Sequence, residues 1–228
     1  WSPLESKDYK DFERRIDNAQ VRLDEHNINY YIPQPEQPNG SCDFVAFTDK
    51  ATMNFQTSRP VKVVYTLDGS EPTPSSTVYT EPFDITETTT LKIRSVLPSG
   101  KMSKTREITV EKQTLAPAKE VAKTTPGLSM KVTNGTFLET SQLDGVKEWK
   151  EVPCKQLRDL TSYVKTDEGM RGIQQYAAVA EGYVNIPADG VYYVSSELEQ
   201  VWIDGKLLID NKGEVKHFAR HDKSVALA

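Results

Sequence analysis

The sequence predicts a mainly β protein with one N-terminal amphipathic helix followed by two β-rich units. Helical spacing of apolar residues occurs before Pro33, and short runs with period-two alternation of β-branched and aromatic residues follow it. Glycine, proline, asparagine and aspartate separate these runs. The chain has 228 residues, which is room for one large domain or two ordinary ones, so the pattern has to provide the domain count.

The predicted helix begins near Ser6 and carries its apolar residues at steps of three and four. These residues form one apolar stripe: Tyr9, Phe12, Ile16, Ala19 and Leu23. Ser6 is predicted as the N-cap, Asp8 favours the positive helix start, and Asn27 and Asn29 with the prolines beyond them end the helix. One helix cannot bury its own stripe, and no later segment is an obvious helical partner, so the stripe has to dock on something.

The first β unit follows the Pro-rich segment 33–40. Its predicted strands are 61–67, 77–85, 89–97 and 105–112, with shorter ones in the stretch CDFVAF and at 53–55. This density of short alternating strands is typical of a small antiparallel sandwich of immunoglobulin-like or fibronectin-like type.

The second β unit follows a segment rich in Ala, Lys, Thr and Pro at 113–127, which we interpret as a linker. Strands are predicted in GLSMKVTNGTF, YAAVAEGYVNIP, GVYYVSSEL and EQVWIDGKLLIDN, with a turn at 188–190. Asp204-Gly205 is the strongest hairpin signal in the chain, because this dipeptide suits the positive φ angles of a type I′ turn. We expect a second β-sandwich here.

Composition excludes several classes of protein. Charged residues make up 27% of the chain and hydrophobic ones 37%, with a net charge of −5 and no basic stripe, so nucleic acid is not an expected partner. No run approaches the roughly 20 apolar residues that a membrane-spanning helix needs. Cys42 and Cys154 are interpreted as two partly buried thiols. No cofactor is expected, because no Gly-rich phosphate loop, Gly-x-Ser-x-Gly elbow or metal-spaced Cys or Cys/His set occurs.

Two sets of polar residues resemble catalytic or metal sites. In the stretch YTLDGSEPTPSSTVY, Asp68 and Glu71 could form a metal site, an acid/base pair, or only the turn that ends a strand. Ser, Thr and Pro surround both carboxylates, which favours a solvated turn in which Gly69 takes a positive φ. His217 and His221 lie four apart, but no third ligand is evident, so we interpret them as surface imidazoles rather than a metal pair.

Aromatic residues of the second unit could stack on the apolar face of a sugar. The candidates are Trp149, Tyr176, Tyr183, Tyr192, Tyr193 and Trp202. Alternation along strands sends about half of such residues into the core. The predicted carbohydrate contacts are Tyr183, Trp202 and Asp204.

Three resemblances to known families follow one another along the chain. The stretch WSPLESKDYKDFERRIDNAQVRLDEHNINYYIPQPE resembles the carboxy-terminal edge of the catalytic barrel of β-N-acetylhexosaminidases, glycoside hydrolase family twenty. The matching residues are Trp1, Ser2, Pro3, Lys7, Asp8, Tyr9, Phe12, Arg15, Asn29 and Tyr30. This resemblance implies that the remainder of that barrel is the docking partner of the helix.

The middle of the chain resembles the chitobiase/β-hexosaminidase C-terminal domain, whose hallmark is Tyr-Thr-x-Asp-Gly-Ser-x-Pro. The residues that carry this resemblance are Tyr65, Thr66, Asp68, Gly69, Ser70, Pro72, Tyr79, Pro82, Phe83, Thr90, Leu91 and Lys92. This is the most specific motif in the sequence.

The last part is similar to the β-sandwich domain named after the anthrax protective antigen, which has a Gly-Tyr-x-x-x-Pro-x-Asp-Gly-x-Tyr run before a strand ending in Ile-Asp-Gly. Members that bind sugar through calcium use adjacent aspartates just before that strand. This chain has Ser196-Glu197-Leu198-Glu199-Gln200 there, which argues against a calcium-bridged site. The family continues through further strands beyond SVALA, so the resemblance implies an incomplete domain.

Together the resemblances imply a non-catalytic C-terminal region of a β-N-acetylhexosaminidase that removes terminal N-acetylhexosamine from glycans. The Asp-Glu pair of that family's substrate-assisted mechanism is not in these residues, so the chain is expected to be inactive alone, in a periplasmic or extracellular protein. A freestanding carbohydrate-binding or adhesion module is the alternative. The predicted organisation is barrel segment 1–35, immunoglobulin-like sandwich 36–112, linker 113–127 and protective-antigen-type sandwich 128–228.

Overall fold

The computed structural model describes residues 8–38, 42–156, 176–211 and 221–228. The chain divides into two compact units, and the boundary along the sequence lies between Lys112 and Gln113. Strands dominate both units, and α1 at the N-terminus is the one α-helix of the described ranges. The predicted fold class is therefore confirmed.

Helix α1 runs from Tyr9 to Glu25. Its N-cap is Asp8 and not the predicted Ser6, which lies outside the described residues: the Asp8 carboxylate accepts hydrogen bonds from the Lys10 and Asp11 N–H groups at 3.0 and 3.3 Å. The chain leaves the helix at Asn27, whose φ is +52°. No residue of α1, all of which is described, is buried, so packing inside this unit does not account for its apolar stripe.

The first unit continues as a small sandwich. Its strands are β1 (Phe44–Phe47), β2 (Ala51–Met53), β3 (Lys62–Thr66), β4 (Thr77–Val78), β5 (Phe83–Ile85), β6 (Thr89–Val96) and β7 (Arg106–Lys112). One sheet has the order β1-β7-β6-β3-β4, and β2 pairs with β5 in the other. The buried core contains Phe47, Met53, Phe55, Val63, Ile85, Leu91, Ile93, Ile108 and Val110, so it draws on strands of both sheets.

Two details of this sandwich differ from the predicted strands. The predicted strand 77–85 is two strands in different sheets, because the chain crosses from β4 to β5 at Pro82, which has no N–H to donate to a ladder. In addition, β1 pairs with β7 in parallel, with Phe44 opposite Thr109, while the other strand pairs described in this unit are antiparallel.

The second unit contains three small antiparallel sheets in its described part. Its strands are β8 (Leu128–Asn134), β9 (Lys150–Cys154), β10 (Tyr176–Glu181), β11 (Gly190–Ser196), β12 (Gln200–Ile203), β13 (Lys206–Asp210) and β14 (His221–Leu227). The sheets are β10-β8-β9, β11-β14 and β12-β13. The predicted strand in YAAVAEGYVNIP ends earlier, at Glu181. Strand β9 and a 3₁₀-helix at Thr140–Gly145 were not predicted.

Asp204 and Gly205 form the predicted two-residue turn. Their φ angles are +49° and +76°, and the register places Ile203 opposite Lys206. The prediction of a β12-β13 hairpin is confirmed.

Residues 113–119 run beside strands of the second unit. The Ala116 N–H donates to the Ala226 carbonyl at 2.9 Å, and the Ala228 N–H donates back to the Ala116 carbonyl at 3.1 Å. The Gln113 side-chain amide donates to Ser224 Oγ at 2.9 Å. The N-terminal part of the segment interpreted as a linker is therefore bound to β14 on the side away from β11.

Candidate functional site

The turn after β3 is built by its own polar side chains. Asp68 Oδ1 accepts from the Ser70 N–H at 3.0 Å and from the Ser70 hydroxyl at 2.5 Å, while Thr66 Oγ1 donates to the Ser70 carbonyl at 2.6 Å. Gly69 takes the predicted positive φ, +76°. The hydrogen bonds from Ser70 hold the pKa of Asp68 below its usual value.

Glu71 is bound separately from Asp68. Lys92 Nζ lies 2.7 Å from Glu71 Oε1, and the Thr105 hydroxyl donates to Glu71 Oε2 at 2.5 Å. The contact with Lys92 lowers the pKa of Glu71 most, and the hydrogen bond from Thr105 lowers it further. A general acid needs a raised pKa, so neither carboxylate of this turn has the environment for acid catalysis.

The other residues of the same motif also hold the sandwich together. The Tyr65 and Phe83 rings stack with centroids 4.6 Å apart, and the Tyr79 hydroxyl accepts from the Phe55 N–H at 2.9 Å. Pro72 is fully buried. The motif is therefore a set of structural contacts, as the turn interpretation predicted.

Two basic side chains of the sandwich, Arg59 and Lys101, bind α1. Arg59, with its side chain 15% exposed, binds the Asp17 carboxylate at 2.6 Å and the Gln20 side-chain oxygen at 3.1 Å. Near the helix end, Lys101 Nζ lies 2.7 Å from the Asp24 carboxylate. Lys101 lowers the pKa of Asp24 most, and the hydrogen bond from the Tyr30 hydroxyl lowers it further.

The helix residues that bind the sandwich and those of the apolar stripe lie on different faces of α1. Asp17, Gln20 and Asp24, which we call the polar flank, lie roughly 90° around the helix axis from the centre of the stripe at 3.6 residues per turn. Tyr9 is 66% and Phe12 50% exposed, with their ring centroids 6.3 Å apart. The sandwich therefore holds α1 by its polar flank and leaves much of the apolar stripe open.

The predicted carbohydrate contacts lie in two places in the second unit. Trp202 is in β12, 55% exposed, opposite the exposed Leu207 of β13. Asp204 is in the turn of the same hairpin, where its carboxylate pairs with Lys119 at 2.6 Å. Tyr183 is 70% exposed in the segment between β10 and β11. The structure thus brings Trp202 and Asp204 into one hairpin, and the ion pair with Lys119 was not foreseen.

The loop between β11 and β12 is held by hydrogen bonds. The Asn211 side-chain amide donates to the Leu198 carbonyl at 2.6 Å, and the Asn211 N–H donates to the Glu199 carbonyl at 2.7 Å. Within the described ranges no three His, Cys, Asp or Glu side chains are placed to hold a metal ion. His217 and the side chain of His221 lie outside what the structure describes.

The two thiols differ in their surroundings. Cys42 is exposed, contrary to the prediction that both are partly buried, whereas Cys154 is buried at the end of β9. Among the described helices none is long and apolar enough to cross a bilayer.

Both units match parts of known proteins. Residues 46–107 match the chitobiase/beta-hexosaminidase C-terminal domain, and residues 154–227 match the PA14 domain. The chain is 48% identical over 227 residues to a beta-hexosaminidase of Porphyromonas gingivalis; this covers 100% of the chain and 29% of that relative. The chain matches the C-terminal region of a beta-hexosaminidase. No solved structure matches it significantly.

Sequence reasoning missed the residues that attach α1. Arg59, Lys101 and the polar flank carry no motif, because their contacts join positions at least 39 residues apart in the chain. The one available signal was the row of polar residues at steps of three and four beside the stripe. That pattern is usually a solvated helix face, so it did not point to a contact.

Proposed function

We propose that the chain is the non-catalytic accessory region of a longer β-N-acetylhexosaminidase, in a periplasmic or extracellular protein that removes terminal N-acetylhexosamine from glycans. Two observations support this: the similarity to part of a beta-hexosaminidase along the whole chain, and the open apolar stripe of α1. The chain spans less than a third of that relative, so hydrolysis is assigned to the preceding part of the polypeptide.

The proposed role of the first unit is to hold α1 for docking on the preceding polypeptide. In the described part of this unit, Tyr9 and Phe12 of the stripe are large hydrophobic residues that remain 66% and 50% exposed. Burying an exposed side chain of this size contributes about 1.5–3 kcal/mol. Covering this surface would therefore stabilise the docked helix, while Arg59 and Lys101 fix its polar flank from the other side.

Activity measurements test the assignment. A chromogenic N-acetylglucosaminide should be hydrolysed by a protein extended upstream of Trp1 and not by the 228-residue chain. Turnover by the 228-residue chain would contradict the proposal, and an extended protein without turnover would favour a freestanding binding module.

A matched pair of variants tests docking of the stripe. Phe12→Asp places a carboxylate on the stripe, and Asn18→Asp places one on the opposite, exposed face of α1. In the extended protein Phe12→Asp should lower the melting temperature by several degrees and reduce activity, while Asn18→Asp changes neither. Both variants should leave the 228-residue chain equally stable. Equal effects of the two variants in the extended protein would refute docking through the stripe.

For the second unit we propose glycan contact through Trp202 and Asp204 of the β12-β13 hairpin and through Tyr183 in the segment between β10 and β11. The exposed Trp202 beside Leu207 supports this, because an aromatic face packs against the apolar face of a sugar ring. Retention on a glycan array should survive a chelator and be lost in Trp202→Ala. Tyr193→Ala, which truncates an aromatic residue of similar exposure in β11, should bind as the unmodified chain does.

A further inference from the structure

The β12-β13 hairpin has two different faces. The register places Val201 opposite Ile209 and Trp202 opposite Leu207, with Leu208 as an extra residue of β13 between the two pairs. Ile209 is 1% exposed, whereas Trp202 is 55% and Leu207 41% exposed. Because successive side chains of a strand alternate between its faces, the first pair lies on the packed face of the hairpin and the second on the opposite one, which we call the outward face.

A polar pair shares the outward face with Trp202. Gln200 precedes Trp202 by two residues in β12, so alternation places both side chains on this face. Asp210 is opposite Gln200, and the Gln200 side-chain amide donates to Asp210 Oδ1 at 3.2 Å. Asp210 is exposed and Gln200 is half-buried. The outward face therefore joins an apolar half, Trp202 and Leu207, to a polar half made of an amide and a carboxylate.

The spacing of the two halves suits a single sugar ring. Residues two positions apart on a strand are separated by about 7 Å. A hexopyranose stacked with its apolar face on the Trp202 indole would extend ring hydroxyls toward Gln200 and Asp210. An ionised carboxylate has about four lone-pair positions, so Asp210 can accept from hydroxyl groups in addition to the Gln200 amide, and the amide oxygen of Gln200 is an acceptor as well.

The charges of the hairpin disfavour an acidic sugar at this face. Residues 200–210 contain three charged side chains: Asp204, Lys206 and Asp210. The carboxylate of Asp204 is paired with Lys119 at 2.6 Å. Lys206 is opposite Ile203 and so belongs, by alternation, to the other face. Asp210 therefore gives the outward face a negative charge, which repels a carboxylate or sulfate group of a ligand.

We propose that the outward face of the β12-β13 hairpin binds a neutral hexopyranose, which stacks on Trp202 while two adjacent ring hydroxyls donate hydrogen bonds to Asp210 and Gln200. This inference rests on the proposed glycan contact at Trp202. It adds Gln200 and Asp210 to the contact residues and restricts the ligand to uncharged sugars, a class that includes N-acetylhexosamine.

Two immobilised probes test the class of sugar. One is an oligosaccharide ending in N-acetylglucosamine, and the other is the same oligosaccharide with C6 of its last sugar oxidised to a carboxylate, which leaves the ring hydroxyls unchanged. The 228-residue chain should bind the neutral probe at least about tenfold more tightly, because the added carboxylate is repelled by Asp210. Equal or tighter binding of the acidic probe would overturn the inference.

Variants of the polar half test the residues. Asp210→Ala should weaken binding of the neutral probe at least about tenfold, because it removes hydrogen bonds to a charged group. Lys206→Ala, which changes a residue on the other face of the same hairpin, is the control and should bind as the unmodified chain does. Asp210→Asn keeps the side-chain shape and removes the charge, so the preference for the neutral probe should fall several-fold. This second variant decides the question if Asp210→Ala does not fold.

The outcomes separate this inference from the proposed function. If Trp202→Ala no longer binds the neutral probe while both Asp210 variants bind it normally, the glycan contact stands and the inference is overturned. A full preference for the neutral probe in Asp210→Asn would also overturn it, because the discrimination would then not come from Asp210. Retention of the neutral probe by Trp202→Ala, or retention of neither probe by the unmodified chain, contradicts the proposed glycan contact and the inference together.

Discussion

Arg59 Nη1 lies 2.6 Å from Asp17 Oδ1, joining the start of the sandwich to a helix residue 42 positions earlier. The same guanidinium reaches the side-chain oxygen of Gln20, one turn further along α1. Because α1 has no buried residue, polar contacts of this kind take the place of a packed core between helix and sandwich.

Replacing Arg59 should loosen α1 without unfolding the sandwich. Arg59→Met keeps most of the side-chain volume but removes both contacts, which are worth about 0.5–1 kcal/mol for a partly exposed pair. Amide hydrogen exchange of residues 17–24 should accelerate two- to fivefold or so, while exchange at Leu91 and Ile93 in the core stays unchanged. Arg15→Met, which breaks an ion pair inside α1, is the control. Equal acceleration in both variants would refute attachment through Arg59.

The contact between Asp24 and Lys101 should weaken in acid. Lys101 and Tyr30 hold the folded-state pKa of Asp24 below its usual value, so the ionised form is favoured by folding. This contribution is fully present above the unfolded pKa of about 3.9 and is lost as the pH falls through the lowered folded pKa. The difference in urea midpoint between the unmodified chain and Asp24→Asn should therefore be largest near neutrality and shrink below about pH 4. Asn18→Ala, which changes an exposed residue of the same helix that does not titrate, should show no such pH-dependent difference.

Gly69 should resist replacement because of its backbone and not its surroundings. A Cβ at this position would meet only Thr90 Cβ, at 3.9 Å, but the φ of +76° strains an L residue. Gly69→Ala should lower the free energy of unfolding of the first unit by about 1–2 kcal/mol. Gly69→Asn should cost less, because asparagine adopts left-handed φ angles more readily. If calorimetry shows that Gly69→Asn is less stable than Gly69→Ala, this explanation is contradicted.

Ala116→Pro should release the last strand. It removes the N–H that donates to Ala226, so residues 221–228 should exchange their amide hydrogens several times faster by mass spectrometry. Ala118→Pro, at an exposed position two residues further along, should leave that exchange unchanged. Unchanged exchange in Ala116→Pro would show that β14 does not depend on residues 113–119.

Local chemistry accounts for the features that could be predicted from the sequence. The stripe of α1, the strands of the sandwich and the turns at Gly69 and Asp204 depend on side-chain spacing and allowed φ angles within a few residues. The predicted glycan contacts stay predictions, because exposure of Tyr183 and Trp202 is a condition for binding and not a measurement of it.

The sequence alone determined that this chain has an amphipathic helix without an evident helical partner, followed by two β units. The first of these units carries the motif of a hexosaminidase C-terminal domain. Only the tertiary structure decided that the sandwich holds α1 by its polar flank, that 77–85 divides between two sheets, and that Gln113 and Ala116 bind β14. Each of these depends on contacts between positions far apart in the chain. Such contacts are selected by the geometry of the whole unit, which no local residue pattern encodes.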